Sequence, residues 1–248
     1  MFANHIGFVT REVCDVTASP EELCKDMDCG HGQCKPVNAT HTQCDCQVGW
    51  SGAKCDVFKP VEKQAYFNGK AWVELSTDLM PHLTSEKEEI IELKFKTTQK
   101  NGVLLWHGQK PDKPGGDQDY LSLGLNDGLL VFSYELGGGP SEITSKQVVS
   151  DGETHHVTLK RTGRKGVLIV DSQEAQTGSS EGILAMLNTE GNIYIGGVPD
   201  LEMMTGGIHE SNFNGCIADL KFDGRLIDFM ETKEDGVNIE PCEDEMVI

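Results

Sequence analysis

The sequence predicts an all-β protein in which a β-sandwich follows a small, disulfide-rich module. Most apolar runs are short, rich in branched or aromatic residues, and end at Gly, Pro, Asn or Asp, which is typical of antiparallel strands. No long apolar stripe has the helical period of 3.6 residues, so helix content is predicted to be low. Seven of the nine cysteines lie between positions 14 and 55, which separates a stapled front module from a back part long enough to bury its own core.

The front of the chain contains one cysteine without an evident partner. Residues 1–23 carry only Cys14 and no periodic pattern, so they are predicted to be the tail of a preceding module. The partner of Cys14 is then expected outside this chain. The opening residues lack a basic start and an apolar core, so they do not form a signal peptide.

Six cysteines with regular spacing follow, in the pattern C-x4-C-x4-C-x9-C-x-C-x8-C. Six cysteines alone allow fifteen pairings. The pattern resembles an EGF-like module spanning residues 24–56, and this resemblance implies the disulfides Cys24–Cys34, Cys29–Cys44 and Cys46–Cys55. The acidic pair that calcium-binding members carry before the first cysteine is absent. Receptor-activating members carry Arg before the sixth cysteine and Leu soon after it, whereas here Lys54 precedes Cys55 and Asp56-Val57-Phe58 follows, so the module is expected to be a spacer and not a growth factor.

Two short signals accompany this module. Asn38-Ala39-Thr40 is a sequon for N-glycosylation within its longest loop. Residues 57–64 are polar, contain one proline, and are predicted to be a linker before the sandwich.

The strands of the sandwich are predicted from alternation and turn residues. Ile91, Leu93 and Phe95 alternate with charged residues, which indicates a half-buried strand. Residues 126–128, Asn-Asp-Gly, separate two apolar runs and predict a tight hairpin. The runs 65–69 and 71–75 are predicted to be two strands about a turn, and residues 181–187 to hold one helical turn.

Charge and hydropathy exclude two classes of partner. The chain has 21 basic and 40 acidic residues and a formal net charge of −19. Nucleic acids and anionic membrane surfaces both recruit Lys and Arg, so neither is an expected partner. No run approaches 18 apolar residues, so no membrane insertion is predicted.

Residues 65–242 resemble a laminin G-like domain, which is a jelly-roll β-sandwich, and residues 243–248 are expected to be a C-terminal tail. The motifs that carry this resemblance are Gly102–Trp106, Asp119–Gly124, Asp127-Gly128, Tyr194–Gly197 and Phe213–Ile217, together with the late Cys242. The resemblance implies a Cys216–Cys242 disulfide. An EGF-like module directly before such a domain is similar to the C-terminal end of basement-membrane heparan sulfate proteoglycans.

The laminin G resemblance also implies a calcium site. Its ligands would be the side chains of Asp119 and Asn188 and the backbone carbonyls of Leu136 and Met186. Oxygen ligands suit a hard cation, and one formal charge predicts weak binding, on the order of 0.1 to 1 mM. Without the resemblance, Asp119 and Asn188 read as ordinary turn residues.

Lys160, Arg161, Arg164 and Lys165 form a basic cluster at a predicted hairpin tip. Such a cluster is compatible with binding of an acidic glycan. The alternative, which the sequence favours, is a solvated tip on a very acidic protein.

The sequence therefore predicts a secreted, non-enzymatic module of the extracellular matrix, located in basement membranes and dependent on calcium. The resemblance implies cell-surface receptors of the integrin or dystroglycan type, and matrix components, as partners. It also implies that such C-terminal fragments are released by proteolysis and act on endothelial cells, with 57–64 as the cut site. The rival hypothesis is a carbohydrate-active enzyme on a jelly-roll scaffold, which needs paired carboxylates across a sugar groove.

Overall fold

The computed structural model describes residues 19–82, 88–109 and 119–243. Cys14 and most of the two predicted tails lie outside these residues. The helices are α1 Pro20–Cys24, α2 Leu201–Thr205 and α3 Phe229–Thr232, with a 3-10 helix at Thr77–Leu79. The strands are β1 Gly32–Asn38, β2 His41–Cys46, β3 Trp50–Ser51, β4 Val57–Phe58, β5 Gln64–Asn68, β6 Trp72–Leu75, β7 Glu88–Lys96, β8 Gly102–His107, β9 Tyr120–Asn126, β10 Leu129–Glu135, β11 Ser141–Val148, β12 Thr154–Thr162, β13 Lys165–Val170, β14 Gln176–Ser179, β15 Ile193–Ile195, β16 Asn214–Phe222, β17 Arg225–Leu226 and β18 Lys233–Val237.

Two sheets face each other and form the sandwich, which confirms the predicted all-β fold. The first sheet has the order β11-β10-β9-β8-β15-β6-β18, and the second has the order β14-β13-β12-β7-β16-β17, with β5 paired to β16. The strand pairs are antiparallel. The core between the sheets is built from inward side chains, because alternate residues of each strand point to the same face.

Alternation explains most strands, and β8 is the exception. In β7 the buried residues Ile91, Leu93 and Phe95 alternate with more exposed ones, as predicted. All six residues of β8 are buried. A second apolar cluster, in which Trp106 stacks on Tyr120 with Val198 and Met204 nearby, covers the outer face of this strand.

The local predictions had mixed outcomes. The hairpin at 126–128 is confirmed, because Leu129 of β10 pairs with Asn126 of β9. The two strands predicted at 65–69 and 71–75 are present as β5 and β6, although β5 joins the second sheet and β6 the first. The prediction of a helical turn over 181–187 is wrong, because this segment is an irregular loop.

Four disulfides are present among the described residues, and they join the pairs that the two resemblances imply. Three of them, Cys24–Cys34, Cys29–Cys44 and Cys46–Cys55, staple the front module. The fourth, Cys216–Cys242, attaches the end of the chain to β16. The front module also contains two small hairpins, β1-β2 and β3-β4.

The front module packs directly on the sandwich. The side chain of Asn238 accepts a hydrogen bond from the N–H of Cys46 at 2.7 Å and donates one to Asp45 Oδ1 at 2.9 Å. Val48 joins the main hydrophobic core. The module is therefore part of the folded body, and its role as a spacer and not a growth factor stays a prediction.

Residues 57–64, predicted to be a linker, also make contacts with the rest of the structure. Val57 and Phe58 form β4, Lys59 makes an ion pair with Glu240 at 2.9 Å, and Val61 is fully buried in the core. Six of the eight residues are nevertheless exposed, so the cut site at 57–64 stays a prediction. Across the described ranges, no helix is long and apolar enough to cross a membrane.

Candidate functional site

The register between β9 and β10 brings two of the predicted calcium ligands to one edge of the sandwich. Tyr120, the first residue of β9, pairs with Glu135, the last residue of β10. Asp119 directly precedes Tyr120 and Leu136 directly follows Glu135. Because the strands are antiparallel, Asp119 and Leu136 therefore occupy adjacent positions just beyond the ladder.

The loop between β14 and β15, residues 180–192, carries the other two predicted ligands and is called the rim loop below. The backbone N–H of Asn188 donates a hydrogen bond to Asp119 Oδ2 at 2.8 Å. The side-chain amide of Gln109 donates to the carbonyl of Asn188 at 2.7 Å. Leu187 is fully buried and anchors the loop between Met186 and Asn188. The structure thus brings Asp119 and Asn188 into direct contact.

The exposure of the four predicted calcium ligands is compatible with their predicted roles as ligands. The Asp119 side chain is buried, with 6% of its surface exposed, whereas Asn188 is exposed. The side chain of Leu136 is buried in the core, and that of Met186 is 47% exposed. Leu136 and Met186 would offer only backbone carbonyls, so their apolar side chains do not conflict with a metal site.

The donor set is composed of oxygen atoms, which fits calcium. Among the described residues, no three His, Cys, Asp or Glu side chains converge as a metal cluster. The predicted site does not need one, because it combines one carboxylate with an amide and two carbonyls. A single carboxylate implies weak binding compared with sites that have several acidic ligands.

Glu135 shapes the end of β10 and was not singled out by the sequence analysis. Its Oε1 accepts hydrogen bonds from the backbone N–H groups of Leu136, Gly137, Gly138 and Gly139, at distances from 2.7 to 3.1 Å. Gly137 has a φ of +90°, and a side chain there would meet Leu184 of the rim loop. The three consecutive glycines that closely follow Glu135 are the feature of the sequence that could have indicated this turn.

His107, at the end of β8, fixes the far end of the rim loop. Its Nδ1 lies 3.3 Å from the carbonyl of Asn192, and its Nε2 contacts Thr189 Oγ1. Burial lowers the pKa of His107 to about 4, against the opposing hydrogen bond to Asn192. The imidazole is therefore neutral at physiological pH and acts as a structural support.

Arg161 does not belong to the predicted basic surface, which corrects the cluster of Lys160, Arg161, Arg164 and Lys165. Only 1% of its surface is exposed, and its Nη2 lies 2.8 Å from Glu89 Oε2. Arg161 follows the inward residues Val157 and Leu159 by the strand period of two, so the alternation pattern contained this information. Burial raises the pKa of Glu89 to about 7, while the guanidinium of Arg161 opposes that rise.

The other three cations remain at the hairpin tip, although they are not equally available. Arg164 is exposed, but its Nη1 donates to the carbonyl of Gly182 at 2.6 Å. Lys165 is exposed and Lys160 is half-buried. The geometry favours a solvated tip over a built glycan site.

The sequon residue Asn38 lies at the exposed tip of the β1-β2 hairpin. Its Oδ1 accepts a hydrogen bond from the N–H of Thr40 at 2.9 Å. An exposed asparagine at a hairpin tip is accessible, and glycosylation of Asn38 stays a prediction.

Comparison with known proteins places these features in a family context. The family model described as Laminin G domain matches residues 95–225. The basement membrane proteoglycan of Caenorhabditis elegans is 49% identical over 231 residues, which covers 93% of this chain and 7% of that protein. Pikachurin of Rattus norvegicus is 34% identical over 223 residues, covering 88% of this chain and 22% of that protein.

Two further comparisons agree with these matches. The basement membrane-specific heparan sulfate proteoglycan core protein of Mus musculus is 32% identical over 227 residues, covering 81% of this chain and 6% of that protein. Domains LG4-5 of the mouse laminin alpha1 chain share the fold, with a TM-score of 0.63 and 22% identity over 74% of this chain and 47% of that one. This chain thus spans only a small part of the relatives it matches in sequence.

Proposed function

Because the chain belongs to the laminin G domain family, we propose that it is a secreted, non-catalytic adhesion module of basement membranes. The support is its similarity over most of its length to two basement-membrane proteoglycans. The relatives are much longer than this chain, so the proposal concerns this module and not the activity of a whole proteoglycan.

We further propose that the module binds calcium at the rim formed by Asp119, Leu136, Met186 and Asn188. The contact between Asp119 Oδ2 and the N–H of Asn188 carries this proposal, because it joins two residues that are 69 positions apart in sequence. A bound cation would offer coordination positions to acidic groups of a partner. Asp119 supplies the negative charge, and the buried position of its carboxylate limits screening by water.

Calcium titration of the unaltered chain and of Asp119→Asn tests this site. With a dissociation constant of about 0.1 to 1 mM, 10 mM calcium is expected to stabilise the unaltered chain by about 1.4 to 2.7 kcal/mol. Asp119→Asn keeps the shape of the side chain but removes its charge, so most of this stabilisation is expected to disappear. Thermal unfolding with calcium and with a chelator provides the measurement.

Glu153→Gln is the matched control, because Glu153 is an exposed acid outside the rim. This variant is expected to respond to calcium as the unaltered chain does. If calcium stabilised Asp119→Asn as strongly as the unaltered chain, the proposed site would be wrong.

The proposed partners are cell-surface receptors of the integrin or dystroglycan type and other matrix components. An acidic group on such a partner, including an acidic glycan, would be recruited through the calcium rim. The hairpin tip contributes less to this proposal, since Arg161 is buried and Arg164 is bonded to Gly182.

A further inference from the structure

We infer that Arg161 is a positioning residue that fixes the rim loop in the conformation needed for calcium binding. This inference rests on the calcium site proposed above and assigns an internal support to it. Nothing about the basic character of the cluster suggested such a role.

The guanidinium is oriented by a buried carboxylate. Glu89 lies opposite Arg161 in the register between β7 and β12. Its Oε2 accepts hydrogen bonds from Arg161 Nε at 3.2 Å and from Nη2 at 2.8 Å. Glu89 is 3% exposed and Arg161 is 1% exposed, so water does not compete for these bonds. The planar guanidinium is thereby held in one orientation.

The remaining nitrogen, Nη1, points at the rim loop. It donates to the carbonyl of Gly163 at 3.0 Å and to the carbonyl of Ala185 at 3.2 Å. Ala185 directly precedes Met186 and lies three residues before Asn188. One buried side chain therefore ties the hairpin between β12 and β13 to the segment that carries two of the proposed calcium ligands.

The same hairpin holds other parts of the rim. The carbonyl of Arg164 accepts hydrogen bonds from Tyr134 Oη at 2.6 Å and from the N–H of Ser180 at 3.0 Å. Tyr134 belongs to β10, which ends next to Leu136, and Ser180 begins the rim loop. The side chain of Arg164 adds its bond to the carbonyl of Gly182. The hairpin thus connects both sheets with the rim loop at the edge where Asp119 lies.

Arginine is required at position 161 because one side chain must donate hydrogen bonds to the Glu89 carboxylate and to the carbonyls of Gly163 and Ala185 at the same time. The guanidinium carries five N–H donors in a fixed fork, whereas a lysine ammonium is a single compact group. Arg161→Lys is therefore expected to retain the charge opposite Glu89 and to lose the link to Ala185. Arg161→Lys therefore distinguishes a role of Arg161 in positioning the rim loop from a role in neutralising the charge of Glu89 alone.

Amide hydrogen exchange and calcium titration together test the role of Arg161. The variants are Arg161→Lys and the double variant Arg161→Met/Glu89→Leu, which removes both charges and leaves no unpaired buried ion. In the absence of calcium, both are expected to speed exchange of the Asn188 amide, which is bonded to Asp119, by about tenfold or more. Both are also expected to weaken calcium binding by about tenfold, as is typical when a support of metal ligands is lost.

Lys160→Met is the matched control, because Lys160 neighbours Arg161 but points to the opposite face of β12. It is expected to change exchange and calcium affinity by less than about twofold. Exchange in β7 and β12 shows whether each variant keeps its fold, and Arg161→Lys decides the question if the double variant does not fold.

The two proposals fail in different ways. Unchanged loop exchange and unchanged calcium affinity in Arg161→Lys would overturn the role of Arg161 and leave the calcium site intact. Absence of calcium binding by the unaltered chain would overturn the calcium site itself.

Discussion

His155 lies between two acidic side chains at the ends of neighbouring strands. Its Nδ1 is 3.0 Å from Asp171 Oδ2 and its Nε2 is 3.0 Å from Asp151 Oδ1, while its ring packs against Phe95. Burial by itself would lower the pKa of His155, but the hydrogen bonds to Asp171 and Asp151 outweigh burial and raise the pKa. The folded protein therefore holds a proton on His155 more tightly than the unfolded chain does.

This arrangement predicts a pH-dependent contribution to stability. Since the folded-state pKa lies above the ordinary value of 6.5, the contribution is complete below pH 6.5 and is lost as the pH rises through the folded-state pKa. His155→Gln is expected to destabilise the protein more at pH 5.5 than at pH 8.5. Urea unfolding at both pH values provides the measurement.

His156→Gln is the control for this prediction, because His156 is the half-buried neighbour on the opposite face of the strand. Its effect on the free energy of unfolding is expected to vary less with pH. An equal loss at both pH values for His155→Gln would show that the ring acts by packing alone.

At the scale of elements, the end of β18 joins the front module to the sandwich. Asn238, directly after β18, has a φ of +56°, a region that glycine adopts freely and that asparagine and aspartate tolerate better than other residues. In that conformation its backbone N–H donates to the carbonyl of Cys46 at 2.8 Å, while its side chain bonds to the N–H of Cys46 and to Asp45. Asn238 thus makes three hydrogen bonds across the junction, next to the antiparallel bridge between Gln47 and Val237.

Substitution of Asn238 tests this junction. Asn238→Ala loses two side-chain hydrogen bonds, worth about 1 kcal/mol each, and puts into the left-handed region a residue that tolerates it less well than asparagine does, for about 1 kcal/mol more. We expect it to lower the free energy of unfolding by about 3 kcal/mol in urea.

Asn238→Gly separates the two effects, because glycine tolerates the backbone angle. Its loss is expected to be about 2 kcal/mol, from the hydrogen bonds alone. Stability equal to that of the unaltered chain in both variants would show that the junction contributes nothing.

At the scale of the whole molecule, the acidic surface decides which partners approach. The net charge of −19 repels polyanions, and the sequence places its densest basic group at the tip between β12 and β13. The structure removes Arg161 from that surface and engages Arg164 with Gly182. Lys165 and the half-buried Lys160 remain, which is a small positive area on an acidic protein.

The chain is therefore expected to pass through a heparin column at physiological ionic strength in the presence of a chelator. Exposed charges are strongly screened under these conditions, so two lysines give little retention. Retention that a Lys160→Gln/Lys165→Gln variant abolished would contradict this expectation and restore the tip as a glycan site.

The sequence by itself determined the features that depend on neighbours along the chain. The alternation in 91–95 predicted a half-buried strand, and the turn residues at 126–128 predicted a hairpin, because side-chain direction and backbone angles are local properties. The motifs around Asp119 and the cysteine spacing identified the family, and with it the fold and the edge of the sandwich where a cation is expected.

Only the tertiary structure decided the features that depend on residues far apart in sequence. The strand period already pointed Arg161 inward, but its partner, Glu89, lies 72 positions away on another strand and is identified only by the structure. Contacts between distant residues also place β5 and β6 in different sheets. They likewise bring Asn238 to Cys46. Such contacts follow from strand register and sheet packing, which a local pattern of residues does not specify.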